Sequence, residues 1–333
     1  MANQRVTRDD VAKLAGVSSA VVSYVVNSSK NVSEEKRKAV LQAIKELNYQ
    51  PNLQARSLKT RQSMQIAFVS DNLRNDWMEL PEKMLFEKGY YVSHCYARDG
   101  DDFIQMLISR QFDGIFMMSN RYSTSQLRQI TNAGIPVVLY KTREYGDLGD
   151  NVAAVVPDLY TGMIQSVNYL VMRGHKRIAL LLPTRYRSTG LDGKGFRERG
   201  YMKAIRDNGL ELDESLIFSD TDSQDRFLSY VNDMIIGKPV QKRPTAFIAG
   251  NDFMAAAVMQ NIKKLGLRVP DDVAVIGSDN IYLTTMVSPT LTSINFSKEV
   301  FTNKLTETML ALIRGEHCED TYIRVELVIR ESA

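Results

Sequence analysis

Small polar side chains recur at helical spacing in residues 18–27, SSAVVSYVVN. Val22, Val25 and Val26 form the apolar face of this predicted helix, at i, i+3 and i+4. The opposite face carries Ser19, Ala20, Ser23, Tyr24 and Asn27. Hydroxyl and amide groups can bind phosphate oxygens, and central side chains of such a helix can reach base edges in a DNA groove. The pattern indicates a DNA-reading helix; the alternative is the solvated face of a small helical bundle.

A second predicted helix and a tight turn precede this segment. Thr7 can cap the first helix, and Asp10 three positions later comes close to a capping box. Gly16 lies in the turn, and Ser18 can cap the second helix. Two short helices joined by a glycine-containing turn form a helix-turn-helix, whose second helix enters the major groove. A third helix is predicted after Ser33, so the first 49 residues form a small headpiece.

Positive charge is concentrated at the N-terminal end of the chain. Residues 1–63 hold 11 Lys and Arg against 5 Asp and Glu, a net charge of +6, whereas the remainder carries a net charge of −3. A basic head on a mildly acidic body is typical of a phosphate-binding module attached to a soluble domain.

The bulk composition argues against several other classes of protein. The chain is 44% hydrophobic and 24% charged, which is ordinary for a soluble globular protein. No apolar run approaches the roughly 20 residues of a membrane span, and the N-terminus does not resemble a signal peptide. We therefore expect a cytoplasmic protein without a membrane partner.

Metal and enzyme motifs are also missing from the sequence. Cys95 and Cys318 lie far apart without metal-ligand spacing, and His94, His175 and His317 are scattered. There is no glycine-rich phosphate loop, no Gly-x-Ser-x-Gly motif and no His pair at metal spacing. We expect no catalytic residues, no bound metal and no cofactor.

From residue 64 the pattern changes to alternating strands and helices. Short apolar runs predict strands at 66–69, 90–92, 114–118, 135–139, 152–156, 178–182, 245–249 and 273–277. Helices are predicted in the intervals, among them 160–173, 195–208, 251–265 and 298–313. This alternation predicts an α/β body of doubly wound parallel sheets, with ligands bound near the carboxyl ends of the strands.

Longer motifs recur along nearly the whole chain. They are DVAKLAGVS at 10–18, RGHKRIALL at 173–181, RPTAFIAGND at 243–252, GLRVPDDVAVIGSDN at 266–280 and VELVIRES at 325–332. In these motifs and their order, the chain resembles the lactose-repressor (LacI/GalR) family of bacterial transcription regulators.

The resemblance implies a domain organisation. Residues 1–49 would form the helix-turn-helix DNA-binding headpiece, 50–63 a hinge helix or linker, and 64–333 an effector-binding and dimerisation domain. That domain would have two periplasmic-binding-protein-like lobes. Lobe 1 would comprise about 64–160 and 292–324, and lobe 2 about 161–291 and 325–333.

The resemblance also implies a function. A homodimer would bind a palindromic double-stranded DNA operator, and we expect it to act as a repressor. A small ligand between the lobes would control its DNA affinity, although some relatives use a phosphorylated protein as corepressor. Whether the ligand releases DNA or promotes binding is left open.

Matching positions to the family implies a set of DNA-binding residues. The set is Thr7, Ser18, Ser19, Ala20, Val21, Ser23, Tyr24, Asn27, Asn52, Ala55 and Leu58. Ser18, Ser23 and Asn27 would hold phosphates, and Leu58 would wedge into the minor groove once the hinge helix forms on DNA. Tyr24 stands where most members carry Arg. Because Tyr cannot make the bidentate contact of Arg with guanine, we expect an operator that departs from the usual half-site at that step.

The same matching implies an effector site in the cleft. Its residues are Trp77, Lys141, Arg185, Arg197, Asn251 and Asp279. Arg197 and Asp279 would bind the hydroxyl groups of a sugar. Asn251 either lines the cleft or caps the helix that follows it.

Several basic residues leave the charge of the cleft open. Lys141 replaces an Asp common in the family, and Arg143, Arg185 and Arg187 are predicted near other strand ends. If several of them face the cleft, a phosphosugar or a sugar acid would suit it. If instead they are solvated surface charges, nothing favours an anionic ligand over the small sugar or nucleobase that family members usually bind.

Overall fold

The structure is a computed structural model. The structure describes residues 6–27, 31–50, 62–71, 78–182, 195–219 and 224–333. The chain divides into two compact units, Met1–Ser63 and Met64–Ala333. The predicted hinge residues Asn52, Ala55 and Leu58 lie outside the described residues.

The first unit contains three described helices, α1 (Arg8–Leu14), α2 (Ser19–Asn27) and α3 (Glu34–Glu46). Its core consists of Val11, Ala12, Val22, Val25, Val40 and Ala43. Gly16 supplies the positive φ, +64°, that the turn between α1 and α2 requires. The predicted capping box of Thr7 and Asp10 is confirmed. Ser33 occupies the N-cap position of α3, but its side chain makes no capping hydrogen bond.

The second unit alternates strands and helices. The strands are β1 (Gln65–Ser70), β2 (Tyr91–Tyr96), β3 (Gly114–Met117), β4 (Val137–Tyr140), β5 (Val152–Pro157), β6 (Ile178–Leu181), β7 (Ile217–Phe218), β8 (Ala246–Ala249), β9 (Ala274–Ser278), β10 (Thr292–Phe296), β11 (Thr321–Ile323) and β12 (Val325–Val328). The helices are α4 (Glu79–Glu87), α5 (Asp101–Ser109), α6 (Thr124–Asn132), α7 (Leu159–Met172), α8 (Phe196–Asp207), α9 (Gln224–Ile235), α10 (Asp252–Lys264), α11 (Leu283–Met286) and α12 (Lys298–Ile313). No described helix is both long and apolar enough to span a membrane.

The strands form two 6-stranded sheets, in the orders β11-β5-β4-β3-β1-β2 and β12-β10-β9-β8-β6-β7. Neighbouring strands are parallel except β10 and β12, which are antiparallel. The central strands of each sheet are buried on both faces because helices cover both sides, which confirms the predicted doubly wound α/β class. The strand order reverses between β1 and β3 in one sheet and between β6 and β8 in the other. Such switch points open a crevice at the carboxyl ends of the strands.

The resemblance implied that the chain passes from lobe 2 back to lobe 1 near residue 291, and this boundary is wrong. Strand β10, residues Thr292–Phe296, pairs with β9 and β12 and so belongs to the second sheet. The chain returns to lobe 1 only after Phe296, since α12 packs against β3, β4 and β5. Phe301 of α12 lies edge-on to both Phe296 and Tyr140, with ring centres 5.3 and 5.7 Å away. One apolar cluster therefore runs from the first sheet into the second at this crossover.

Helices α7 and α8 pack tightly against each other on the second sheet. Gly200 makes this approach possible, because a Cβ there would lie 2.3 Å from the carbonyl oxygen of Tyr160. Tyr201 of α8 is fully buried and donates a hydrogen bond to the carbonyl of Ile178 in β6, at 2.7 Å. These contacts fix the start of α8 relative to the second sheet.

Candidate nucleic-acid interface and ligand cleft

Helix α2 presents a polar face away from the headpiece core. Val22 and Val25 are buried, and Val26 packs partly against them, as the periodicity predicts. On the other side Ser18 and Ala20 are exposed. Further along, Ser19, Val21, Ser23 and Tyr24 are half-buried. The helix ends at Asn27, whose side chain lies outside the described part of the chain.

The N-terminus of α2 is held by its neighbour α1. The Ser19 hydroxyl donates a hydrogen bond to the Asp9 carboxylate. Ser18 accepts from the backbone N–H of Val21 at 3.4 Å, a long bond that leaves this hydroxyl accessible to another partner. Thr7 is occupied in its capping box, since its hydroxyl lies 2.6 Å from Asp10 Oδ2. The two helices are thereby fixed in one arrangement at the end where a recognition helix would meet DNA.

The segments 72–77 and 183–194 lie outside the described residues. They contain three residues that were expected in or near the cleft: Trp77, Arg185 and Arg187. The other predicted residues can be located, and they lie in both lobes of the second unit.

At the switch point of the first sheet, charged groups are paired with one another. Arg121, just after β3, donates to Asp71 at 2.9 Å and to Asp99 at 2.6 Å. Ser119 also donates to Asp71, at 2.9 Å. These bonds link the carboxyl ends of β1 and β3, so this corner of the crevice is polar and largely neutralised.

Lys141 does not contribute a spare positive charge to the cleft. Its ammonium lies 3.0 Å from the Asp320 carboxylate and 3.2 Å from that of Glu144. Burial by itself would lower the pKa of Lys141, but these two carboxylates outweigh it and raise that pKa. Lys141 and Asp320 line a cavity of about 170 Å³ beside Tyr145.

In the second lobe, the structure brings the side chains of Arg197 and Asp279 close to each other. Arg197, near the start of α8, is buried, and its Nη2 lies 3.8 Å from Asp279 Oδ1 at the end of β9. Asp279 adopts a φ of +101° and Asn280 a φ of +45°, an uncommon backbone that turns both residues at the strand end. Burial raises the pKa of Asp279 to about 6, against the opposing effect of Arg197.

Asn251 caps a helix, one of the two roles expected for it. Its side chain accepts a hydrogen bond from the Met254 N–H at 2.8 Å, at the N-terminus of α10. The next residue, Asp252, was not predicted as a site residue. It is fully buried and accepts from Ser293 Oγ at 2.6 Å and from the Ile281 N–H at 2.8 Å. Burial raises the pKa of Asp252 to about 7, and the nearby Asp279 adds to the rise.

A backbone hydrogen bond bridges the two lobes beside Arg197. The Phe196 N–H, at the start of α8, donates to the carbonyl of Thr142 after β4, at 2.9 Å. The Phe196 side chain is buried within the apolar cluster of the first lobe, which includes Tyr122 and Leu139. Nothing in the sequence near Phe196 indicates this role, because an apolar residue at a helix start usually packs within its own lobe.

Among the residues that the structure describes, no group of His, Cys, Asp and Glu is placed to hold a metal ion. His175, expected to be structural, forms a hydrogen bond of 2.9 Å with Thr245. The polar groups at the strand ends are instead hydroxyls, amides, carboxylates and guanidinium groups, which suit the reversible binding of a polar small molecule.

Comparison with known proteins identifies the family of the chain. Residues 7–52 match the family model of bacterial regulatory proteins, lacI family, and residues 167–333 match that of the periplasmic binding protein-like domain. The chain is 30% identical to the HTH-type transcriptional repressor PurR of Histophilus somni (strain 129Pt), over 98% of both chains. It is 32% identical to PurR of Serratia proteamaculans (strain 568), over 88% of this chain and 86% of that one.

Solved structures show the same fold. The lac repressor dimer bound to operator and the anti-inducer ONPF matches with a TM-score of 0.81 and 25% identity, over 99% of both chains. The complex of transcriptional regulator CelR with cellobiose matches with a TM-score of 0.68 and 27% identity, over 99% of this chain and all of that one. The protein therefore belongs to the lacI family of bacterial regulatory proteins.

Proposed function

We propose that this protein is a transcriptional repressor whose dimer binds a palindromic operator, with a small ligand in the interlobe cleft controlling its DNA affinity. The observation that carries this proposal is the outward face of α2, where small polar side chains stand opposite the buried Val22 and Val25. The headpiece and the hinge segment together form the basic part of the chain, with a net charge of +6 in residues 1–63. A basic surface attracts the phosphate backbone of DNA whatever its base sequence. The side chains on the outward face of α2 then distinguish one base sequence from another.

The proposed DNA contacts are those that the resemblance to the family implies. Ser18, Ser23 and Asn27 hold phosphates, assisted by Thr7 at the start of α1. The central residues Ser19, Ala20, Val21 and Tyr24 meet base edges and thymine methyl groups. The hinge residues Asn52, Ala55 and Leu58 contact the minor groove.

The dimer is proposed to form through the α4–β2 surface, which we define as Leu80, Phe86, Tyr91 and Tyr96. All four large apolar side chains are exposed, and β2 is an edge strand of the first sheet. Phe86 and Tyr91 pack edge-to-face with ring centres 5.8 Å apart. An exposed edge strand that carries large apolar side chains is a typical protein interface.

The oligomeric state can be tested by sedimentation velocity at micromolar concentration. We expect a dimer for the native chain and dissociation for Phe86→Glu and Tyr91→Glu. Met172→Glu is the matched control, because Met172 is a large exposed apolar residue at the end of α7. A native monomer, or equal dissociation in the control, would contradict the proposed surface.

The effector is proposed to be a sugar or an anionic sugar derivative. Arg197 and Asp279 offer a guanidinium and a carboxylate to its hydroxyl groups, and Asn251, Lys141, Trp77 and Arg185 complete the proposed lining. Since the effector favours one closure angle between the lobes, it couples to the DNA-binding end. Such coupling is typically worth about 1–3 kcal/mol.

The repressor proposal is tested by selecting DNA from a randomised duplex pool with the full chain, followed by gel shift. We expect a palindromic site bound by the full chain and not by a fragment of residues 64–333. Equal binding by that fragment would remove the headpiece from the mechanism. Titration calorimetry with glucose, glucose 6-phosphate and a free nucleobase then identifies the effector class.

A further inference from the structure

Arg143 is a buried cation at the carboxyl end of the first sheet. It lies two residues after Lys141, in the segment that leaves β4, and only 3% of its surface is exposed. Its guanidinium carbon lies 4.0 Å from the centre of the Tyr145 ring, so one face of the guanidinium is covered. Burial of this kind strips a guanidinium of the water that would otherwise solvate its charge.

The protein does not neutralise this charge in the part of the chain that the structure describes. Arg143 Nη2 donates to the carbonyl oxygen of Tyr122 at 2.7 Å, and Nη1 makes a long contact of 3.5 Å with the carbonyl of Glu144. The Nε atom is buried and has no hydrogen-bond partner. No described carboxylate lies within 4.0 Å of the Arg143 guanidinium.

Three other basic side chains, two at this sheet edge and one in the second lobe, behave differently. Arg121 pairs with two carboxylates, Lys141 with two, and Arg197 with Asp279. Because each of these positive charges is already paired with a carboxylate, none of them gives the cleft a net positive charge. Arg143 differs from them because its partners are neutral carbonyl groups.

A buried charge without a counter-ion is strongly disfavoured, and arginine binds carboxylate and phosphate groups through paired N–H donors. The partner carbonyl, that of Tyr122, directly precedes the capped N-terminus of α6, whose dipole adds positive potential. We propose that Arg143 binds an anionic group, a carboxylate or a phosphoryl group, of the effector. This inference rests on the proposed function and narrows the effector class to anionic small molecules.

The position of Arg143 couples this anion to lobe closure. The preceding residue, Thr142, carries the carbonyl that accepts the interlobe hydrogen bond from Phe196. An anion drawn to the guanidinium acts on the backbone segment that holds the lobes together. Neutral sugars, which lack this interaction, would bind without the same effect on closure.

The test uses the full chain and its Arg143→Gln and Arg143→Lys variants. Arg128→Gln is the matched control, because Arg128 lies on α6 and pairs with Asp147 at 2.6 Å but is well exposed. Thermal midpoints are measured against increasing inorganic phosphate, glucose 6-phosphate, gluconate or glucose, with sodium chloride holding the ionic strength constant. Comparing phosphoryl with carboxylate probes identifies which anion is bound.

We expect at least one anion to raise the midpoint of the native chain and of Arg128→Gln, with saturation. For Arg143→Gln the apparent dissociation constant should rise about tenfold or more, as expected for a lost charge-assisted bond. Arg143→Lys should fall between the two, because it keeps the charge but loses the paired donors. The absence of a cooperative thermal transition in Arg143→Gln would mean that this variant does not fold. In that case the apparent dissociation constant of Arg143→Lys is compared with that of the native chain instead.

Two results would overturn the inference. One is the absence of any saturable anion effect on the native chain beyond that of chloride. The other is an unchanged anion affinity in both Arg143 variants. In either case, operator binding by the native chain in the selection experiment would leave the repressor proposal standing. Failure to select any DNA site would instead count against the repressor proposal.

Discussion

The backbone N–H of Phe196 and the carbonyl oxygen of Thr142, which belong to different lobes, are joined by a hydrogen bond of 2.9 Å. The Phe196 ring extends this contact, since it is buried in the apolar cluster of the first lobe. Arg197 follows Phe196, and Arg143 follows Thr142. Residues proposed to bind the effector are therefore directly attached to a contact between the lobes.

Replacing Phe196 with alanine should loosen this interlobe contact. Burial of a phenylalanine side chain is worth a few kcal/mol, so we expect a loss of about 3 kcal/mol in the free energy of unfolding. We also expect faster amide exchange at residues 142 and 196. Ile236→Ala, at an exposed apolar site, should stay within about 0.5 kcal/mol of the native value. Native exchange rates in Phe196→Ala would show that the ring does not hold the lobes together.

Tyr24→Arg should change which base the headpiece reads. Arginine makes two parallel hydrogen bonds with guanine, a pairing worth about 1–3 kcal/mol of discrimination. DNA selected by Tyr24→Arg should gain a guanine in each half-site that DNA selected by the native chain lacks. Tyr24→Phe is the companion variant, because it separates the hydroxyl from the ring. Identical sites for the native chain and Tyr24→Arg would place Tyr24 away from the bases.

Gly200→Ala should destabilise the packing of α8 on α7. The added Cβ would lie 2.3 Å from the Tyr160 carbonyl oxygen, and a backbone atom cannot move aside as a side chain can. We expect a loss of about 1–3 kcal/mol in urea unfolding, as for other overpacked sites. Arg199→Ala changes an exposed neighbour on the same helix and should leave stability nearly unchanged. A native midpoint for Gly200→Ala would mean that the two helices can separate at little cost.

The buried carboxyl groups of Asp279 and Asp252 should make stability depend on pH. Their pKa values are raised, to about 6 and about 7, mainly by burial. Between the ordinary Asp pKa and pH 7 the folded chain therefore holds more protons than the unfolded chain. The stabilisation from protonated carboxyls is full at low pH and is lost as pH rises through 6 to 7.

Asp279→Asn should flatten this fall in stability. One of the two raised groups is removed, and the pKa of Asp252 should also drop because the neighbouring charge is gone. Urea unfolding from pH 4.5 to 7.5, about the window of these shifts, measures the slope. Asp150→Asn, at an exposed site, should retain the native slope. An unchanged slope in Asp279→Asn would show that Asp279 does not titrate in this range.

The local sequence determined the headpiece. The spacing of Val22 and Val25, the Thr7–Asp10 capping box and the turn at Gly16 act over a few residues, so a short segment specifies them. The alternation of strands and helices likewise determined the class of the second unit, because a strand buried on both faces is apolar throughout its length. The family motifs also implied that Arg197 and Asp279 are cleft residues, and the structure places the two side chains 3.8 Å apart.

Only the tertiary structure decided the charge balance of the cleft and the path between the lobes. Lys141 is neutralised by Asp320, a residue 179 positions away in the chain, whereas the hydrogen-bond partners of the nearby Arg143 among the described residues are carbonyl groups. Phe196 packs into the opposite lobe, and β10 joins the second sheet beyond the expected boundary. Each outcome depends on groups that are distant in sequence but adjacent in space, and local periodicity carries no information about such neighbours.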